Sequence, residues 1–179
     1  MTKSASLLMI SGSLRSESFN RKLLQEAVRC TSCEAIVADI DLPLYNGDVE
    51  NAQGVPEKAV TLHQQIESAD AVVISTPEYN QAMSGVLKNA LDWVSRVDSN
   101  PWMDKPVAIM SAAAGRTGGA RAQNSLRLAM NSFQPRLLTG PELMVSSAHG
   151  EFDEAGQLTN ERYLKTLQKL MEKLLQSIG

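Results

Sequence analysis

Asp70-Ala71-Val72-Val73-Ile74-Ser75-Thr76-Pro77-Glu78-Tyr79-Asn80 joins a continuous apolar run to a polar and aromatic loop. An apolar run without alternation reads as a strand buried on both faces, hence part of a parallel sheet between layers of helix. Pro77 ends that strand, because it has no N–H for the ladder and biases Thr76 towards extended backbone. Gly85-Val86-Leu87-Lys88-Asn89-Ala90-Leu91-Asp92-Trp93-Val94 follows, with Leu87, Ala90, Leu91 and Val94 at i, i+3, i+4 and i+7, the spacing of a helix face. A loop at the carboxyl end of a buried strand, leading into a helix, is where open α/β sheets hold ligands.

Outward from this unit the same alternation repeats. Ala5 to Ser11 reads as a strand, and a helix follows from about Phe19 with Leu23, Leu24, Ala27 and Val28 on one face. Glu34 to Ile40 reads as a second strand, and a helix opens at Pro56, a favoured first helical residue, carrying Ala59, Leu62 and Ile66. The strand Ala71 to Ser75 comes next, then Pro106 to Ser111 with a helix from Gly118-Gly119 to about Phe133. Glu142 to Val145 reads as the last strand, and Leu164, Leu167, Leu170, Met171, Leu174, Leu175 and Ile178 mark a closing amphipathic helix. Repeated βα units of this kind predict one α/β domain over residues 1–179. The stretch Leu42 to Gly54 is the one irregular connection and a candidate functional loop.

Composition excludes several classes. A net charge of −3 gives no basic stripe for nucleic acid, and 43% hydrophobic residues suffice for a core. Met1-Thr2-Lys3-Ser4-Ala5-Ser6 leads into only Leu7 to Ile10 before Ser11-Gly12-Ser13, too short for a signal core or a membrane span. The expectation is a cytoplasmic protein without membrane insertion, which two cysteines also suit. Cys30-x-x-Cys33 falls at the end of a helix, where no dipole stabilises a thiolate. Only His63 and His149 remain as further soft ligands, so no metal is expected. No loop position suggests a Ser-His-Asp or Cys-His-Asn constellation.

Three strand ends carry chemistry. Ser11-Gly12-Ser13-Leu14-Arg15-Ser16-Glu17-Ser18-Phe19-Asn20 sets hydroxyls and a guanidinium at a helix N-terminus, which suits a phosphate dianion. It is neither a P-loop nor G-x-G-x-x-G, and its plainer reading is a connection that supplies an N-cap. Pro77 to Met83 offers a ring, an amide and a carboxylate beside exposed backbone, suited to a planar heterocycle, or else simply a solvated turn. Ser111-Ala112-Ala113-Ala114-Gly115-Arg116-Thr117-Gly118-Gly119 is small enough for a molecule to lie against its backbone, though its glycines also suit a plain turn. Lys88, Asp92 and Arg96, four apart, read as a solvated ion-pair ladder, and Trp93 as a residue of the core or of a subunit interface.

Taken together, Gly12-Ser13-Leu14-Arg15-x-x-Ser18-x-Asn20, Pro77-Glu78-Tyr79-Asn80, Gly85-x-Leu87-Lys88-Asn89-Ala90-x-Asp92-Trp93 and Gly118-Gly119-Ala120-Arg121 closely resemble the NAD(P)H-dependent FMN reductase family, which includes bacterial quinone, chromate and azo-dye reductases. Leu42-Pro43-Leu44-Tyr45 also looks like that family's loop after the second strand. The resemblance implies a flavodoxin-like α/β fold with a five-stranded parallel sheet, order 2-1-3-4-5, and helices on both faces. It implies bound FMN, NAD(P)H as reductant, and a small-molecule electron acceptor: quinones, free flavin, chromate or azo compounds. It also implies a homodimer or homotetramer. Ser13, Arg15, Ser18 and Asn20 inherit the FMN phosphate, while Pro77, Glu78, Tyr79, Asn80 and Gln81 border the isoalloxazine, with Ser111, Ala112 and Ala113 on the third loop. Hydride would pass from NAD(P)H to flavin N5 and onward to the acceptor, with no catalytic side chain required. Backbone N–H groups near Asn80 and Ala112 would tune the ring, and Arg116 is a candidate for the NADPH phosphate. The chain has Ala82 and Ser84 where the family commonly has a serine and a proline, and no hydroxyl at Ala112 or Ala113. The rival class is a flavodoxin-type electron carrier without NAD(P)H activity, against which the first loop argues. The large residues Leu44, Tyr45 and Trp93 are expected at an oligomer interface.

Overall fold

A computed structural model describes residues 5–178, so Met1 to Ser4 of the leader reading lie outside the described residues. Its elements are β1 (Ser6–Ser11), α1 (Phe19–Arg29), β2 (Glu34–Val37), α2 (Gly47–Gln53), α3 (Glu57–Ser68), β3 (Ala71–Ser75), α4 (Gly85–Val94), β4 (Pro106–Ala112), α5 (Ala120–Met130), β5 (Arg136–Leu137), β6 (Leu143–Val145) and α6 (Glu161–Gln176). Every strand pair is parallel, in the order β2-β1-β3-β4-β5. The fifth position is shared: β5 pairs with Pro106 and Val107 at the start of β4, and β6 with Met110 to Ala112 at its end.

The unbroken apolar strands supply two cores. Leu7, Met9, Val73, Ala108 and Met110 face α1 and α6, against Leu23, Leu24, Leu167, Leu170 and Leu174. Their alternates Leu8, Ile10, Val72, Ile74 and Ile109 face α3, α4 and α5, against Leu62, Ile66, Leu87, Leu91 and Leu126. Period-two alternation along each strand therefore feeds two helix layers, which is why β1, β3 and β4 lack a polar face. Each fully buried Leu, Val or Ile side chain adds about 1.5–3 kcal/mol relative to leaving it exposed.

Differences from the sequence reading sit at the margins of the sheet. β2 ends at Val37 rather than Ile40; one more bond to β1, from the Ala38 N–H to the Met9 carbonyl at 2.9 Å, follows before the chain leaves the sheet with Ile40 buried. Ile36 and Val37 are 55% and 63% exposed, and a short strand is one way to limit an open edge. Pro56 stands just before α3 as its N-cap, with no side-chain cap bond, rather than as its first residue. The connection from Leu42 to Gly54 contains α2, capped by the Asn46 side chain on the Asp48 N–H. α5 gives way at Asn131 to a short 3₁₀ turn ending at Phe133.

Candidate functional site

The loops after β1, β3 and β4 converge at the carboxyl edge of the sheet around a cleft of about 160 Å³. Ser13, Arg15, Ser18 and Asn20 line it from the first loop, Pro77, Glu78 and Tyr79 from the second, and Ala112 and Ala113 from the third, joined by Phe19 and Ala114. Of the residues singled out in the sequence, Asn80, Gln81 and Ser111 do not line this cleft. A larger depression of about 420 Å³, walled by Asn100 and Trp102, lies at the amino end of β4, away from the loops. Position at the carboxyl ends, not volume, selects the smaller cleft.

Ser18 caps α1, its hydroxyl accepting from the Asn20 N–H at 3.2 Å, and α1 has no acidic residue in its first turn. Among the described residues, the N–H groups of Leu14, Ser16, Glu17 and Phe19 meet no protein acceptor, and the Arg15 side chain makes no bond. Unpaired donors at the positive end of a helix, beside a guanidinium, favour an anion. Arg21, which the sequence reading passed over, steadies this loop by donating from Nε to the Ser13 carbonyl at 3.2 Å. Gly12 sits in a tight approach of the first two loops, where a Cβ would lie 3.1 Å from Pro77 Cδ and 3.2 Å from Thr76 Cα and its neighbours would have to give by a few tenths of an ångström.

Asn20 differs from its neighbours. It is buried, its Oδ1 accepts from the Ser75 hydroxyl at 2.8 Å and the Ala112 N–H at 3.0 Å, and its Nδ2 donates to the Ala112 carbonyl at 2.9 Å. The amide is a clamp across the ends of β3 and β4 rather than a free donor to a phosphate. The Ala112 N–H is consumed by the same clamp and the Ala113 N–H by the Val145 carbonyl, so neither is open to a ligand. A serine at the last place of an apolar strand, as Ser75 is, was the available signal for such a partner.

The second loop is a tight hairpin. Tyr79 and Ala82 exchange backbone hydrogen bonds at 3.1 and 3.0 Å, with Asn80 at φ 49° and Gln81 at φ 68° between them. Two successive left-handed residues make a type I′ turn, for which asparagine is well suited and glutamine is not. Glu78 reaches across to α5, its Oε2 accepting from the N–H groups of Arg121 at 3.0 Å and Ala122 at 3.3 Å. Ser84 caps α4 and donates to the Gly12 carbonyl at 2.5 Å, so the serine at this position ties the first loop to the second.

In the third loop Gly118 and Gly119 answer to packing. A Cβ on Gly118 would lie 2.7 Å from the Met144 carbonyl, and one on Gly119 would lie 2.7 Å from Ser111 Cβ. The Ser111 hydroxyl points inward, donating to the Gly118 carbonyl at 2.6 Å and accepting from Gln123 Nε2 at 2.8 Å. Ser111 is thus a strut of the loop, while Arg116 and Thr117 stay exposed at its tip.

Several outlying expectations resolve within the chain. Trp93 is buried, donating from Nε1 to the Pro43 carbonyl at 2.7 Å and packing edge-on against Tyr45 at 5.1 Å, so it anchors its own loop rather than an interface. Lys88 pairs with Asp92, whereas Arg96 leaves the ladder for Glu50 at 2.9 Å and holds that carboxyl below its usual range. Burial, with Glu26 nearby, pushes the Cys30 thiol up, the opposite of an activated cysteine. His63 is buried beside the Ser99 hydroxyl at 3.2 Å and His149 is exposed. Among the described residues no cluster of three His, Cys, Asp or Glu is placed to hold a metal, and no helix is long and apolar enough to cross a membrane.

The model of the NADPH-dependent FMN reductase family matches residues 5–150. An NAD(P)H-dependent FMN reductase of Pseudomonas aeruginosa is 44% identical over 177 residues, covering 97% of this chain and 95% of that protein. A quinone reductase of Escherichia coli is 36% identical over 172 residues, covering 93% of this chain and 92% of that one. Among solved structures, FerB of Paracoccus denitrificans, a flavoenzyme NAD(P)H:(acceptor) oxidoreductase, superimposes with a TM-score of 0.86 at 32% identity, covering 97% of each chain.

Proposed function

We propose, from the premise that this chain belongs to the NADPH-dependent FMN reductase family, that its three-loop cleft holds FMN and serves the reduction of quinones by NAD(P)H. The protein is an oxidoreductase that uses FMN and NAD(P)H, with a flavodoxin-like fold. The observation that carries the site reading is the first loop: four unpaired N–H groups, the Ser13 and Ser18 hydroxyls and the unengaged Arg15, all at the N-terminus of α1. That donor set fits a phosphate dianion.

Bound FMN supplies two-electron exchange between NAD(P)H and an acceptor. The chain's own part is to bind and orient. Arg15 and the N–H groups of Leu14, Ser16, Glu17 and Phe19 would hold the phosphate. The Tyr79 ring would border the isoalloxazine, and the unengaged N–H groups of Asn80 and Gln81, in the turn next to the cleft rather than in its lining, would be available to the ring edge. The small side chains of Ala112, Ala113 and Ala114 leave space for a planar group against the backbone. Quinone is the acceptor class favoured, by analogy with the quinone reductase that covers nearly the full chain. The test is anaerobic titration of FMN-loaded protein with NADH and with NADPH, followed by turnover with benzoquinones. A protein that takes up FMN yet is reduced by neither nucleotide would sink the reading and favour an electron carrier.

Arg15→Ala is expected to weaken FMN binding by about 1.5–3 kcal/mol, the range for a hydrogen bond to a charged group. Riboflavin, which lacks the phosphate, should bind both forms alike in calorimetric titration of apo protein. Equal losses for both ligands would remove Arg15 from the phosphate site.

We further propose a cytoplasmic homodimer or homotetramer. Leu44 is 83% exposed, with the half-exposed Tyr45 and Val49 beside it on a connection pinned by Asn89, Trp93 and Arg96. A rigid apolar projection of this kind suits an interface. Light scattering should report a mass of two or four chains at micromolar concentration, and a Leu44→Asp variant should be smaller.

A further inference from the structure

The N-terminus of α5 lacks a cap of its own. Its N-cap is Gly119, and no acidic residue stands in its first turn. The cap arrives from another loop, as the Glu78 carboxylate accepting from the Arg121 and Ala122 N–H groups. The same loop is pinned to the same helix a second time, where the Met83 N–H donates to the Ser125 hydroxyl at 2.9 Å. Between the two pins lies the left-handed pair Asn80 and Gln81, whose N–H groups meet no protein acceptor among the described residues.

A turn with two left-handed non-glycine residues persists only where its surroundings over-determine it. Here the surroundings are the two pins. Glu78 also lines the cleft, so its charge sits between α5 and whatever the cleft holds. A helix N-terminus carries roughly half a positive charge, and a carboxylate on its first N–H groups offsets it.

Resting on the reading that this cleft holds FMN, we infer that Glu78 is a positioning residue with two effects. Its hydrogen bonds hold the second loop, whose Pro77 and Tyr79 line the cleft, in place beside the flavin ring, and its charge cancels the positive end of α5 beside that ring. Reduction adds negative charge to the ring, which an uncancelled helix end would favour. Glu78 therefore holds the flavin potential down, and Ser125 shares only the first of its tasks.

Three variants separate these effects. Glu78→Gln keeps an acceptor oxygen for both N–H groups and removes the charge. It should bind FMN within about twofold of wild type, while its midpoint potential moves positive by about 30 mV, the two-electron equivalent of a tenfold change in the ratio of reduced to oxidised flavin. Glu78→Ala should lose about tenfold in FMN affinity, and Ser125→Ala should lose affinity without a shift in potential. Unchanged potential in the glutamine variant would overturn the charge role. Wild-type FMN affinity in the alanine variant, with only its melting temperature lowered, would overturn the positioning role. The glutamine variant carries the test if the alanine variant does not fold. A wild-type apo protein that takes up no FMN would instead overturn the functional reading, and this assignment with it.

Discussion

Asn20→Ala should lower the stability of the apo protein by about 3–5 kcal/mol, because each buried polar group stranded without a partner costs about 1–3 kcal/mol. Three groups would be stranded: the Ser75 hydroxyl, the Ala112 N–H and the Ala112 carbonyl. Their sum is an upper bound, since such contributions are not additive within one network. The clamp joins the first loop to the ends of β3 and β4, so its loss should also let the cleft splay and weaken FMN binding. Asn20→Asp keeps the two bonds accepted by Oδ1 but turns a buried carboxylate oxygen towards the Ala112 carbonyl in place of the Nδ2 donor, so it too should fall below wild type. Urea unfolding of the three proteins, read by far-ultraviolet dichroism, measures the order. A loss under about 1 kcal/mol in Asn20→Ala would show that water replaces the amide and that the clamp is not structural.

Gly118→Ala is the second large effect, at about 2–5 kcal/mol, combining about 1–2 for a side chain in left-handed backbone with about 1–3 for overpacking. Gly118 sits at φ 60°, and its new Cβ would meet the Met144 carbonyl carbon and oxygen at 2.7 Å. That neighbour is backbone of β6 and has no rotamer by which to withdraw. Gly115→Ala in the same loop is the control, because nothing lies within 4 Å of a Cβ there. It should unfold within about 0.5 kcal/mol of wild type, as surface changes usually do. Equal stability of the two variants would show that β6 can shift and that the third loop is not held against it.

The parts of the fold read from the chain were those whose pattern is local and repeated. β3 and α4 match their expected bounds, since a continuous apolar run and an i, i+3, i+4, i+7 face each suffice within one element. The parallel order 2-1-3-4-5 followed from motif resemblance rather than periodicity. β5 escaped because two residues, Arg136 and Leu137, hold no pattern, and exist as a strand only beside Pro106 and Val107. α2 escaped because it buries nothing and has no apolar face to announce it.

At the site, residue type was legible and allegiance was not. Hydroxyls, amides and carboxylates at strand ends are visible in one dimension, and nine of the twelve chosen residues line a single cleft. Which way each group points is settled by partners far away along the chain. Asn20 reaches Ala112, Glu78 reaches Arg121, and Ser111 reaches Gln123, so polar groups that look available to a ligand are spent on holding loops together. The sequence by itself determined the alternation of strand and helix, the three loops at the carboxyl ends and the hydroxyls and guanidinium gathered on the first. The tertiary structure decided which donors stay free there, because buried polar groups must find partners and the nearest ones come from other strands.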